Sequence, residues 1–204
     1  MIDIPLTGCF DIPMSEKATA RRGRPRSLET EAAILETAYR LAASEGLSAT
    51  TVDAVARESQ VSKMTIYKWW PSREALLIDA FLRQAARMLP IPDQGDPLGI
   101  LRDHAGAYAE ALNGDFGKVQ LAVIAECVAK TGSAALFFDR YLKERRGLAL
   151  KVIKRGQEEG RFRKAEPAAE LYDRIYGTLF YQSLFGLRRI SAAHARGLVE
   201  SVLT

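Results

Sequence analysis

Apolar residues recur every three or four positions over most of the chain, and no alternating pattern typical of β-strands competes with this spacing. Between residues 27 and 88 the spacing predicts four short helices. Ser27 and Ser62 are placed to cap the first and third of these helices, and a Pro-Ser pair begins the fourth. Thr50 is predicted to cap the second helix, with Asp53 three positions later in a capping-box arrangement.

Residues 90–97 contain three prolines and a glycine, so they are predicted to form a linker. Four or five longer helical stretches follow this linker. Their predicted spans are 98–113, 116–130, 134–160, 167–187 and 192–203. The chain is therefore predicted to be all-α, with a small N-terminal module of three helices and a connecting fourth helix over 27–88, and a larger C-terminal helical bundle over 89–204.

The composition is that of an ordinary folded domain, with 48% hydrophobic and 26% charged residues. Cys9, Cys127, His104 and His194 show no metal-ligand spacing, so neither a metal site nor a cofactor is expected. No apolar run is long enough to span a bilayer and no secretory signal is visible, which favours a cytoplasmic protein without membrane contact. Motifs for a catalytic nucleophile, a zinc-bound water or a phosphate-binding loop are missing, so an enzyme is not expected.

Basic residues concentrate between positions 17 and 26, where one lysine and four arginines occur with no acidic residue. Gly23 and Pro25 disfavour a helix there, so residues 1–26 are predicted to be a disordered extension that ends in a basic arm. A solubilising tail and an arm that contacts DNA phosphates or a minor groove are both consistent with this composition. The second interpretation makes three arm residues DNA-binding candidates: Arg22, Arg24 and Arg26.

Residues 50–77 have the dimensions of a helix-turn-helix, with two helices of about seven residues joined by a short turn. Val61 is the apolar residue of the turn, and Ile66 is expected to point inward with it. The third helix of the chain, which is the second of this pair, then has these residues on its outward side: Lys63, Met64, Thr65, Tyr67 and Lys68. Because cations, hydroxyl groups and an aromatic ring suit the phosphates and base edges of a major groove, the pattern predicts binding to double-stranded DNA.

The stretch 34–77 resembles the TetR family of transcriptional regulators, and its segment VSKMTIYKWWPSREAL is far more specific than a generic pair of helices. The resemblance implies that the third helix is the recognition helix and that the second and fourth helices add phosphate contacts. The DNA-binding residues that it implies are Thr51, Ser62, Lys63, Thr65, Tyr67, Lys68 and Arg73. Trp70 falls at the large aromatic residue of the family's core. Gln60 stands where the family usually has a turn glycine, so a positive φ is expected there.

Aromatic and apolar residues of the middle helices are mostly expected to form ordinary core. The resemblance implies, in addition, a cavity in the C-terminal bundle for a small hydrophobic inducer. Its candidate lining residues are Tyr108, Leu112, Phe116, Ile124, Cys127, Phe137, Tyr141, Tyr176 and Phe180. Four polar residues of the same helices are expected at the surface or in internal hydrogen bonds more than in ligand contact: His104, Asn113, Gln120 and Glu126. The cationic stretch 143–164 is predicted to be the solvated face of a long helix.

The apolar face of the predicted helix over 167–187 is too wide for a single core contact. Either both of its sides are buried within one domain, or one side meets a second copy of the chain. The resemblance favours the second arrangement, because the family usually dimerises through its last two main helices. The candidate interface residues are Tyr172, Ile175, Leu179, Ser183, Leu187, Leu198 and Val202. A dimer places two recognition helices about 34–36 Å apart, which suits a palindromic DNA site.

The function that the resemblance implies is a dimeric, sequence-specific repressor released from its operator by a small hydrophobic inducer. Repression, as opposed to activation, comes from the resemblance alone. The alternative is a DNA-binding dimer whose C-terminal domain docks a protein partner and binds no small ligand.

Overall fold

The computed structural model describes residues 27–204, which form helices and connecting turns with no strand. The helices are α1 Leu28–Ser44, α2 Val52–Ser59, α3 Lys63–Trp69, α4 Arg73–Met88, α5 Pro97–Leu112, α6 Asp115–Thr131, α7 over 135–158, α8 over 168–184 and α9 Ala192–Leu203. The predicted all-α architecture is confirmed, with an N-terminal helix-turn-helix unit and a larger C-terminal helical bundle. The arm candidates Arg22, Arg24 and Arg26 lie outside the described residues.

Local signals fix most of the helix boundaries in the N-terminal unit. The hydroxyl groups of Ser27, Ser62 and Ser72 each accept a hydrogen bond from the backbone N–H three residues later, so these three residues cap their helices as predicted. Gln60 ends α2 in the left-handed conformation with a φ of 57°, which confirms the expectation for the turn. The tight turn between α2 and α3 therefore forms without glycine.

The start of α2 differs from the prediction by one residue. Thr51 is the cap, and its hydroxyl accepts from the Ala54 N–H at 3.1 Å. Thr50 is buried, and its hydroxyl donates to the Gly46 carbonyl at 2.8 Å. The predicted capping box of Thr50 is therefore wrong, because the hydroxyl of this threonine bonds to the turn that follows α1.

Two hydrophobic clusters form the interior, and α4 contributes to both. Ile66, Trp70 and Leu76 belong to the N-terminal cluster, which α1, α2, α3 and the first turns of α4 build. Further along α4, Phe81 belongs to the C-terminal cluster, where its ring lies 4.6 Å from the ring of Phe116 on α6. Helix α4 therefore connects the helix-turn-helix to the bundle, because its buried residues belong to both clusters.

Two helices of the bundle contain a π-helical turn that the hydrophobic pattern does not predict. In α7 the order is Ala135–Phe137, the π turn Phe138–Leu142, and Lys143–Glu158. In α8 the order is Ala168–Tyr172, the π turn Asp173–Gly177, and Thr178–Leu184. Because a π turn is wider than an α-helical turn, it rotates the side chains beyond it relative to those before it. Helical periodicity alone therefore misplaces the faces of both helices.

The packing of α8 and α9 corrects part of the predicted dimer interface. Ile175 and Leu179 are both 0% exposed and Val202 is also buried, so these three residues belong to the protomer's own core. Their assignment to a dimer interface is therefore wrong. The reason is that α8 and α9 both pack against α5 inside the bundle. The candidates that keep exposed surface are Ser183, Leu187 and Leu198.

Candidate DNA-binding surface and ligand cavity

The recognition helix α3 has one buried and one exposed side. Ile66 is buried in the N-terminal cluster and fixes the helix to the unit. Lys63, Met64, Tyr67 and Lys68 are exposed. An exposed set that combines two cations with an aromatic ring can contact both phosphates and base edges in a major groove.

The N-terminal end of α3 is ordered by hydrogen bonds that leave its polar groups accessible. The Ser62 and Thr65 hydroxyl oxygens lie 2.9 Å apart, and Lys63 pairs with Asp53 of α2 at 2.6 Å. Both partners of this ion pair are more than half exposed, and such pairs contribute little to stability. A DNA phosphate can therefore replace Asp53 at Lys63 at small cost. Thr51 is also exposed, at the start of α2.

The structure contradicts the phosphate contact implied for Arg73. Its Nη1 donates to Glu126 Oε1 at 2.7 Å, its Nε donates to the Thr50 carbonyl at 2.9 Å, and its Nη2 donates to the Leu47 carbonyl. The guanidinium group thus has three protein acceptors and is largely covered by them. Arg73 ties the loop between α1 and α2 to α6 of the bundle, so it joins the two units of the chain.

A second connection between the units begins at the end of the recognition helix. Trp70 is buried, as the resemblance implies, and its indole N–H donates to Asp79 Oδ2 at 2.9 Å. Arg140, in the π turn of α7, donates to the same carboxylate group. Asp79 on α4 therefore bonds both to the residue that follows α3 and to the bundle.

A cavity of about 450 Å³ lies between α5, α6, α7 and α8. Six of the nine predicted lining residues face it: Tyr108, Ile124, Phe137, Tyr141, Tyr176 and Phe180. Leu112, Phe116 and Cys127 do not line the cavity, because they are buried in the core around it, and their assignment is corrected accordingly. Both π turns contribute to the wall, Tyr141 from α7 and Tyr176 from α8.

A chain of hydrogen bonds runs along one side of the cavity. Nη2 of Arg145 lies 3.3 Å from Nε2 of His104, and Nδ1 of His104 lies 2.7 Å from the Tyr176 hydroxyl oxygen. Because a guanidinium group only donates, Nε2 is the acceptor, and the ring proton on Nδ1 is donated to Tyr176. Burial and the charge of Arg145 lower the pKa of His104 from 6.5 to about 3, so this ring is neutral at neutral pH.

The tyrosines of the cavity are neutral as well. Burial raises the pKa of Tyr108 to about 12, and burial also raises the pKa values of Tyr141, Tyr172 and Tyr176. The Tyr108 hydroxyl donates to Oε1 of Gln120 at 3.3 Å. Among the described residues that line the cavity, Arg145 and Asp173 are the side chains that carry charge at neutral pH.

Two lining residues lie where the sequence pattern does not place them. The cationic stretch predicts a solvated face for Arg145, yet this residue is 6% exposed and lines the cavity. Helical spacing places Arg145 on the buried side of its helix, because Ala149 and Val152 follow it at four and seven positions and are both buried. Tyr172, assigned to the dimer interface, lines the cavity instead, because it precedes the π turn of α8.

The four polar residues of the middle helices divide into two pairs. His104 and Gln120 are internally hydrogen bonded, as expected, and they also line the cavity. Asn113 is internally hydrogen bonded, since its amide nitrogen donates to the Ile190 carbonyl at 2.8 Å. Glu126 pairs with Arg73, as described above, so it too has a structural contact and is not a lining residue.

Together, the helix-turn-helix and the cavity-containing bundle define a helix-turn-helix transcriptional regulator. Residues 34–80 match the family model of bacterial regulatory proteins of the tetR family, and residues 91–202 match the model of the tetracyclin repressor-like C-terminal domain. The chain belongs to the TetR family. In the part of the chain that the structure covers, no helix has both the length and the apolar character needed to cross a membrane.

Known relatives and solved structures resemble the chain over most of its length. The HTH-type transcriptional regulator YdeS of Bacillus subtilis is 34% identical over 180 residues, which cover 88% of this chain and 91% of YdeS. The crystal structure of the TetR family regulator SCO0332 has a TM-score of 0.75 and 28% identity, covering 85% of this chain and 96% of that one. A regulator from Saccharomonospora viridis, solved in complex with choline, has a TM-score of 0.56 and 27% identity over 85% and 94% of the two chains.

Proposed function

We propose that this chain is a homodimeric repressor that binds a palindromic operator and is released from it when a small hydrophobic ligand occupies the cavity. The observation that carries the proposal is the bonded path from the cavity wall to the recognition helix, through Arg140, Asp79 and Trp70. Membership of the TetR family supports the repressor role. The choline complex of the Saccharomonospora viridis protein supports a small-molecule ligand for a fold of this kind.

Operator binding is assigned to the exposed side of α3. Lys63, Tyr67 and Lys68 are exposed, and the buried Ile66 holds the helix in place behind them. Cations of this kind supply the salt-sensitive attraction to phosphates, and side chains that reach the base edges supply sequence preference. A single helix of seven residues offers few such contacts, so two copies on successive turns of the DNA are needed for specific binding.

Dimerisation is assigned to an exposed apolar surface at the end of α8, which we call the α8 end patch. It consists of Tyr181, Leu184, Phe185 and Leu187. Phe185 and Leu187 are 62% and 59% exposed, and the ring of Phe185 lies 5.0 Å from the ring of Tyr181, so the patch is a group of large apolar side chains open to solvent. A second copy of the chain is the partner that family membership favours, and a two-fold axis through this patch pairs each residue with the same surface of the other protomer.

Release is assigned to a change in the position of α4. A ligand shifts an equilibrium only if it binds one arrangement more tightly than the other. Tyr141 lines the cavity, and it is in the same π turn as Arg140, which bonds Asp79 of α4. A ligand that prefers a displaced π turn therefore favours a displaced α4, and with it a different spacing of the two recognition helices.

Selection from a random double-stranded DNA library with the full chain tests the operator half of this proposal. We expect enrichment of a palindrome whose half-sites lie about one helical turn apart, or a multiple of it. Sedimentation analysis of the free and DNA-bound protein is expected to give two subunits, or a multiple of two, per site. Failure to enrich any sequence above random duplex, or binding of a single subunit per site, contradicts the proposal.

A further inference from the structure

Arg145 is a buried cation in the cavity wall without a carboxylate partner. It is 6% exposed, and its Nη2 donates to the Leu89 carbonyl and to His104 Nε2, both neutral acceptors. Other arginines of the same helix have carboxylate partners, since Arg140 pairs with Asp79 and Arg146 pairs with Asp173. Among the described residues no carboxylate group pairs with Arg145.

Burial of a charge is unfavourable unless an opposite charge compensates it. The hydrogen bonds to a carbonyl and a neutral imidazole satisfy donors of Arg145, but they do not balance its charge. The carboxylate group of Asp173 is at the edge of the cavity, where it is 62% exposed and paired with Arg146. The inner part of the cavity therefore carries one uncompensated positive charge.

The remaining wall is apolar and largely aromatic. Rings of Phe137, Tyr141 and Phe180 line it together with aliphatic side chains, and its buried tyrosines and His104 are neutral. A ligand that matches this wall has an apolar body with one negative end. The charge of such a ligand is opposite to that of choline, the ligand in the Saccharomonospora viridis complex. A quaternary ammonium group would meet the guanidinium group with the same sign of charge.

We propose that the ligand of this cavity is an apolar monocarboxylic acid whose carboxylate group binds the guanidinium group of Arg145 and whose hydrocarbon part packs against the aromatic wall. A guanidinium group can offer two parallel N–H donors to a carboxylate group, which gives orientation as well as affinity. This inference rests on the proposed function, because it names the chemical class of the ligand that releases the operator.

Three probes that differ in charge test the inference by isothermal titration calorimetry with the full chain: naphthalene-2-carboxylate, naphthalene-2-carboxamide and choline. The two naphthalene compounds share one apolar body, so their difference reports the charge alone. Since hydrogen bonds to charged groups are stronger than neutral ones, we expect the carboxylate to bind about 10- to 100-fold more tightly than the amide. Choline is expected not to bind.

Variants of Arg145 assign this preference to one side chain. Arg145→Met keeps a long side chain without charge, and the carboxylate and the amide are expected to bind it equally well. Arg145→Lys keeps the charge but loses the planar donor pair, so it is expected to keep a weaker preference for the carboxylate. Lys151→Met removes an exposed cation of the same helix that does not line the cavity, and it is expected to change nothing. Circular dichroism melting establishes which variants are folded, and Arg145→Lys serves if Arg145→Met is not.

The outcomes separate this inference from the proposed function. Equal binding of carboxylate and amide by the wild type, binding of choline, binding of none of the probes, or a preference that survives in Arg145→Met overturns the inference. A gel shift with selected DNA reports operator binding independently. If the carboxylate binds through Arg145 and no operator is found, the repressor proposal fails and the cavity assignment stands. If a neutral or cationic compound releases the operator, the repressor stands and this ligand class is wrong.

Discussion

Arg140 of α7 and Asp79 of α4 form a two-point contact, in which Nη1 of the arginine lies 2.9 Å from Oδ1 and 2.8 Å from Oδ2 of the carboxylate group. Oδ2 also accepts the indole N–H of Trp70 at 2.9 Å. One carboxylate group thus binds the π turn of the cavity wall and the residue that follows the recognition helix. Helix α4 contributes to both hydrophobic clusters, so we expect a displacement of the π turn to reach it through this bonded contact.

Replacement of Arg140 by Met is expected to weaken the effect of ligand on DNA binding while ligand affinity stays within about twofold. Arg140 does not line the cavity, but its loss removes the bonds from α7 to Asp79. Coupling between sites is typically worth about 1–3 kcal/mol, so we expect the ligand-induced change in DNA affinity to fall by about 5- to 10-fold. Fluorescence anisotropy of selected DNA, with and without naphthalene-2-carboxylate, measures this change.

The matched control for that experiment is Lys151→Met, which removes an exposed cation of the same helix that does not line the cavity. It is expected to retain the coupling of the wild type. If Arg140→Met also retains it, the bonded path through Asp79 does not carry the signal.

Features that depend on neighbours in sequence are predictable, whereas those that depend on distant partners are not. The cap at Ser62 follows from local backbone chemistry, the positive φ at Gln60 follows from the turn position that the family resemblance gives it, and the structure has both as expected. Arg73 is different, because its carboxylate partner Glu126 lies 53 positions away and diverts it from the DNA surface. The positions of the buried residues in α7 predict that Arg145 is buried, whereas the run of cations around it predicts an exposed side chain. The π turns leave no periodic signal in the sequence, so Tyr172 is assigned to the dimer interface although it lines the cavity.

Lys68 and Arg73 are expected to respond differently to removal of their charge. Lys68→Ala removes an exposed cation of α3, so the slope of log affinity for DNA against log salt is expected to fall by about 0.9, the contribution of one phosphate contact. Arg73→Met leaves Glu126 and two carbonyl groups without their donor. It is expected to lower the free energy of unfolding by about 1–3 kcal/mol while the salt slope of the folded protein stays unchanged. If the salt slope of DNA binding is smaller in Arg73→Met than in the wild type, Arg73 contacts a DNA phosphate after all.

Charge placed in the α8 end patch is expected to separate the protomers without unfolding them. Phe185→Asp and Leu187→Asp each introduce a carboxylate group at an exposed apolar position, which is harmless in a monomer and unfavourable in a buried interface. Sedimentation velocity is expected to show monomers with wild-type helicity and weak, non-specific DNA binding. Leu28→Asp is the control, because Leu28 is an exposed leucine at the start of α1, far along the chain from the patch.

Ile175→Ala provides the opposite case, since this side chain is fully buried within the protomer. It is expected to lower the free energy of unfolding by about 2–5 kcal/mol, as large-to-small changes in a core do. If the Phe185→Asp and Leu187→Asp variants both remain dimeric, the dimer interface lies outside the α8 end patch.

Stability is expected to fall as the pH decreases from 7.5 to 5.5, with part of the loss due to His104. The pKa of this ring is about 3 in the folded protein and 6.5 in an unfolded chain, so below pH 6.5 the unfolded state binds a proton that the folded state does not. The stability that depends on a neutral His104 is therefore present in full above pH 6.5 and is lost progressively as the pH falls toward about 3. Between pH 7.5 and 5.5 the loss amounts to about 1.4 kcal/mol. Urea unfolding at the two pH values measures it.

His104→Gln isolates that contribution, because glutamine can still accept from Arg145 and donate to Tyr176 but does not titrate. We expect the variant to lose about 1.4 kcal/mol less than the wild type over this pH interval. Between pH 7.5 and 8.5 the ring is neutral in both states, so the two proteins should change in parallel there. Equal losses below pH 7, or an NMR titration of the folded protein in which the His104 ring protonates near pH 6.5, would show that burial and the charge of Arg145 do not hold this ring neutral.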